Sequence, residues 1–166
     1  SRKVTNNSFV NAFEAQASTL VSLINTAEEL VKDDSVFEID SHNNDELSRI
    51  TPSFFHNIVF FFELFGKSYL SLCNEPIKFT HTLNEIFNSV SKAMFEHEHN
   101  NSMFHAIILP HFKIFAEYIQ SMPAGFKEQN IKYDENTMDN TVICITNFSL
   151  GDLRNTIDFC RSFILD

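Results

Sequence analysis

The residues best suited to metal or acid–base chemistry lie in one short stretch. Glu96-His97-Glu98-His99 places four such side chains in succession, and His105 and His111 follow. Zinc favours imidazole and carboxylate ligands at characteristic spacings. In a helix, however, positions 97 and 99 point about 200° apart, so their imidazoles cannot share an ion. We interpret the cluster as a solvated helix end, with histidines near the negative end of the helix dipole. No metal site is predicted.

The three cysteines are the candidate nucleophiles. Cys73, Cys144 and Cys160 are far apart, form no C-x-x-C pair and lie among apolar residues, where a thiol is usually a small core residue. No P-loop, nucleophile-elbow or dinucleotide-binding glycine pattern occurs, and the chain has only three glycines. We therefore predict a non-enzymatic protein without a cofactor; an enzyme with an unrecognised active site is an alternative. The unpaired cysteines also favour a reducing, intracellular location, which we expect to be the cytoplasm.

Composition and charge narrow the partners. With 166 residues, 43% of them hydrophobic and 20% charged, the chain has the composition of one folded domain. Its net charge is −10, and its basic residues are scattered singly. Nucleic acids and acidic membrane surfaces bind clustered Lys and Arg. We therefore expect no nucleic acid, and a partner that is another protein or another segment of the parent chain. The oligomeric state is left open.

Few turn-forming residues and long apolar periodicities predict an all-α fold. The first helix is expected over Ser8–Lys32, and an acidic linker, 33–45, follows, with a short extended piece at Phe37 and Ile39. Thr51-Pro52, a hydroxyl cap followed by proline, predicts the start of a second helix that reaches Cys73. Before it, residues 46–50 are expected to form at most one helical turn. Since the chain starts without Met and ends on an apolar helical pattern, we expect residues 1–166 to be a single helical domain excised from a longer protein.

The second half of the chain continues the helical pattern. A third helix is predicted over 76–97, and its apolar face is Phe79, Leu83, Ile86, Phe87, Val90, Ala93 and Met94. A fourth helix is predicted over 102–121, kinked near Pro110. A fifth is predicted over 138–148, although the β-branched run 142–146 also fits a strand, and a last helix is predicted from Leu153 to Ile164.

These predictions give five to six helices and two architectures. The second and third helices are expected to form a tight helical hairpin over 51–97. That length, about 47 residues, matches one HEAT or armadillo unit. No residue self-similarity accompanies it, so an irregular helical bundle and a short HEAT/armadillo-like fragment are both retained.

The second helix is apolar around nearly its whole circumference, which is typical of the central helix of a bundle. Glu63 and Lys67 interrupt it, so no membrane span is predicted. His56, Glu63 and Lys67 fall along one side, which we interpret as the edge of the helix nearest solvent. The residues on or beside this edge are the candidate partner-binding positions: Phe54, His56, Phe61, Glu63, Phe65 and Lys67.

The expected function follows from this surface. Exposed apolar patches mark interaction sites, and aromatic side chains are favoured anchors. We expect a protein–protein interaction module, acting as a scaffold or regulatory domain, that uses a Phe-rich helical surface. A bundle that holds a lipid or another apolar ligand among its phenylalanines is the alternative.

Overall fold

A computed structural model describes residues 8–30, 37–38, 46–77, 82–97, 102, 104–110, 144–145 and 147–165. Within these residues the chain is helical, as predicted. It forms α1 (Ser8–Leu30), α2 (Glu46–Leu72), α3 (Leu83–Glu96), a π-helical turn (Phe104–Ile108) and α4 (Asn147–Leu165). Two-residue strands, β1 (Phe37–Glu38) and β2 (Cys144–Ile145), pair antiparallel and add no sheet layer. The predicted all-α class is therefore confirmed, with four α-helices in the described part of the chain.

Helix α2 lies at the centre of the packing, as its apolar circumference predicted. All ten residues from 61 to 70 are buried. Phe13 of α1 packs against two of its phenylalanines, with ring centroids 5.3 Å from Phe61 and 6.2 Å from Phe65. Near them, Gln16 donates a hydrogen bond to the side-chain oxygen of Asn57 at 2.7 Å. Because later residues of α1 meet earlier residues of α2, the two helices are antiparallel.

Helix α4 closes the bundle against both α1 and α2. Phe163 lies 6.1 Å from Phe65 between ring centroids. Two arginines of α4 reach carboxylates of α1: Arg154 to Glu28 at 2.9 Å and Arg161 to Glu14 at 3.4 Å. The side chains of these ion pairs are about one-third exposed. Ion pairs at such exposure contribute at most about 1 kcal/mol each, so these two indicate the orientation of α4 and add little stability. Their order shows that α4 runs antiparallel to α1.

Helix α3 runs parallel to α2, so the predicted tight hairpin is wrong. The α-carbon of Gly66 lies so close to α3 that a β-carbon there would meet the side chains of Ile86 and Val90. Farther along both helices, His97 Nε2 lies 2.7 Å from Glu75 Oε1. In each contact the α3 residue is about twenty residues later in the chain than its α2 partner, so later residues of α2 meet later residues of α3. In an antiparallel hairpin, later residues of α2 would meet earlier residues of α3.

The end of α2 explains why the third helix does not start at Pro76. Asn74 adopts a left-handed backbone, φ 57°, and its amide bonds to the Ser71 carbonyl at 3.1 Å. The amide of Glu75 bonds to the Leu70 carbonyl at 2.9 Å. This Schellman arrangement ends the helix. Residues 75–77 are not helical, and α3 begins after Thr82, the first residue of a Thr-x-x-Glu pattern that marks helix starts.

The start of α2 also differs from the prediction. The helix begins at Glu46 and continues through Thr51-Pro52. Proline has a helical φ, and although Pro52 has no amide hydrogen to donate to the Ser48 carbonyl, the predicted turn at 46–50 and the helix after it join. Pro52 therefore lies inside α2 and is not its first helical residue.

Three further predictions fall in the second half of the chain. The predicted fifth helix is wrong at Cys144 and Ile145, which are extended and pair with Glu38 and Phe37. The last helix starts at Asn147, six residues earlier than predicted, and runs through Gly151. The predicted fourth helix departs from α geometry at the π-helical turn, immediately before Pro110; residues 111–121 lie outside the described residues.

Pro110 gives a physical reason for that turn. It has no amide hydrogen to donate to the Ala106 carbonyl, which removes one α-helical hydrogen bond and favours a change of bonding pattern within this turn. Among the described helices, none combines the length and the apolar composition that crossing a membrane requires.

Candidate functional site

The charged side chains on the predicted edge of α2 are not at the surface. Glu63 is 6% exposed and Lys67 8%, and the ammonium lies 3.9 Å from a carboxylate oxygen of Glu63. The interpretation of this edge as the one nearest solvent is therefore wrong for both residues. Charges are rarely buried unless they are paired, and the spacing of four residues lets these two meet on the helix surface. They form a buried ion pair.

The phenylalanines beside that edge are also buried. Phe54 is 1% exposed, and Phe61 and Phe65 are fully buried. Phe61 and Phe65 contact Phe13 of α1, and Phe65 also contacts Phe163 of α4. In this structure all three contribute to the core, where each buried phenylalanine stabilises the fold by about 1.5–3 kcal/mol.

One predicted position does reach the surface of α2. His56 is partly exposed, and its ring stacks on Phe60 with a centroid distance of 6.1 Å and an interplanar angle of 7°. Phe60 is 37% exposed. The six candidate residues are thus divided: five lie in the core or in the buried ion pair, and His56 lies at the surface beside a phenylalanine that the sequence did not single out.

The most exposed apolar side chain of the described residues lies on α3. Phe95 is 86% exposed. The buried residues of α3 are Leu83, Ile86, Val90, Ala93 and Met94. Phe95 is absent from this face and also from the apolar face predicted from the sequence. The apolar periodicity of α3 therefore already placed Phe95 outside the core. Because the candidate binding residues were predicted from the apolar helix α2, the sequence did not single out this exposed aromatic residue.

Phe95 belongs to a flank of α3 that we call the Phe95 flank, formed by Phe87, Ser91 and Phe95. Four-residue spacing places the three on one side of the helix, over about 12 Å. Phe87 is partly buried against the core and Ser91 is partly exposed. The flank thus leads from a ring held by the core to a ring in water.

Charged residues also lie on α3 and just beyond its end. Glu85 and Glu96 are exposed on α3, and Lys92 lies 3.9 Å from Glu96 with its side chain 77% exposed. Beyond the end of α3, the carboxylate of Glu75 bonds to His97. Glu85, two residues before Phe87, points about 200° away from it around the helix.

Catalytic chemistry finds little support among the described residues. His97 contacts Glu75, and no group of three or more potential ligands comes together within the described part of the chain. Burial raises the pKa of the Cys160 thiol well above its ordinary range, which keeps it protonated and unreactive. Cys73 is partly exposed at the end of α2. Cys144 belongs to β2.

Comparison with known proteins adds no assignment. No family model, curated protein or solved structure matches the chain. A functional argument therefore depends on the residues alone.

Proposed function

We propose that this chain is a non-enzymatic protein–protein interaction module, acting as a scaffold or regulatory domain. The observation that carries the proposal is the 86% exposure of Phe95. Aromatic side chains in water are favoured anchors of protein interfaces because they bury a large area with few rotatable bonds. The surface is the Phe95 flank of α3; the His56–Phe60 pair lies on another helix, α2, and is not part of it.

The predicted binding residues of α2 enter this proposal in a changed role. Phe54, Phe61 and Phe65 pack in the core. They therefore affect partner binding only by stabilising the fold that positions the surface residues. The partner is another protein or another segment of the parent chain, and the net charge of −10 favours a basic surface on it.

For the architecture, we propose an irregular bundle. α1 packs against both α2 and α4, so the first and last described helices meet across the central one. In a helical-repeat array each unit contacts only its neighbours in sequence. A total of five to six helices, and the HEAT/armadillo-like alternative, stay predictions.

The test compares three forms of the protein with matched folding. The wild-type chain, Phe95→Ser and Phe60→Ser are used as bait in extracts of cells that produce the protein, and circular dichroism melts show whether each is folded. The proposal expects Phe95→Ser to lose a partner that both other forms retain. Retention of every partner by folded Phe95→Ser would refute it.

The alternative, a bundle that carries a lipid or another apolar ligand, is tested on the same material. Native mass spectrometry of the purified protein detects a retained ligand. A stoichiometric apolar adduct that is unaffected by Phe95→Ser would favour the carrier function. We keep an enzyme with an unrecognised site only as a third candidate, which no described group of residues favours.

A further inference from the structure

We draw no further inference here: the strongest candidate, the Phe95 flank on the exposed side of α3, already carries the proposed function, and nothing in the described part of the chain shows what covers it.

Discussion

Gly66 marks the closest approach of α2 and α3, and its replacement tests the packing directly. A β-carbon added at Gly66 would overlap Ile86 Cγ2 and would lie 3.3 Å from Val90 Cγ2. The first contact is far inside van der Waals distance, and the branched Ile86 side chain has few alternative rotamers in a helix. Alanine gains about 1 kcal/mol over glycine in helix propensity. Overpacking costs about 1–3 kcal/mol and for such an overlap should lie at or above the upper end of that range.

We therefore expect Gly66→Ala to lower the free energy of unfolding by about 2 kcal/mol or more, the overpacking cost less the propensity gain. Gly151 in α4 is the matched control because an added β-carbon there meets no atom within 4 Å. Gly151→Ala should raise the free energy of unfolding by about 0.5–1 kcal/mol.

The assay is urea unfolding followed by far-UV circular dichroism, with both variants compared with wild type at equal slope m. A double-mutant cycle with Ile86→Ala should show that Gly66→Ala costs less once the clashing methyl group is gone. If Gly66→Ala is as stable as Gly151→Ala, α2 and α3 do not meet at Gly66, and the parallel packing described above is wrong.

Two further predictions concern groups buried in the core. Lys67→Met alone should lower the free energy of unfolding by about 3 kcal/mol, because it leaves the Glu63 carboxylate buried without the ammonium. Lys67→Met combined with Glu63→Leu should lower it much less. Urea unfolding of wild type and both variants checks this, and an equal loss in the two variants would contradict a buried pair. Because burial raises the pKa of the Cys160 thiol, the unfolded chain loses this proton at lower pH than the folded one. Stability from this group is therefore present below about pH 8.5 and declines above it by up to about 1.4 kcal/mol per pH unit. Cys160→Ala should remove that decline, and an unchanged slope in unfolding measurements from pH 8 to 10 would contradict it.

The sequence was most informative where one physical effect dominates. The three- and four-residue spacing of apolar residues in α1 predicted a helix over Ser8–Lys32, and the structure has one over Ser8–Leu30; residues 31 and 32 lie outside the described residues. The apolar circumference of α2 predicted its central place, and its ten successive buried residues confirm it. Both predictions follow from burial alone, and burial is what hydrophobic periodicity records.

Direction and local pairing were harder to predict. Periodicity tells which side of α3 is buried, but not whether α3 runs with or against α2, so the contacts of Gly66 and His97 were needed to exclude the hairpin. Likewise, the β-branched run at Cys144 and Ile145 fits helix or strand until its partner strand is known. The direction of α3 and the extended conformation of Cys144 and Ile145 both depend on contacts between residues far apart in the sequence. A local pattern of residues carries no information about such contacts.

The candidate site was predicted only in part, for a related reason. Isolated charges usually lie at the surface, so the sequence predicts exposed positions for Glu63 and Lys67, yet the two pair with each other inside the bundle. Once they are buried, the phenylalanines beside them are buried as well. The position of Phe95 off the apolar face of α3 is visible in the sequence, whereas its 86% exposure depends on the packing of α3.

The most direct test of the proposed function places a photo-crosslinking amino acid at position 95 and, as controls, at the partly exposed position 60 and the buried position 61. Each protein is irradiated in the cells that produce it, and covalent products are identified by mass spectrometry. We predict that position 95 forms an adduct with another polypeptide or another segment of the parent chain, bearing Lys or Arg near the attachment point. Position 61 should form only links within the core. Absence of an adduct at 95, or the same partner at all three positions, would contradict the assignment of the Phe95 flank as the binding surface.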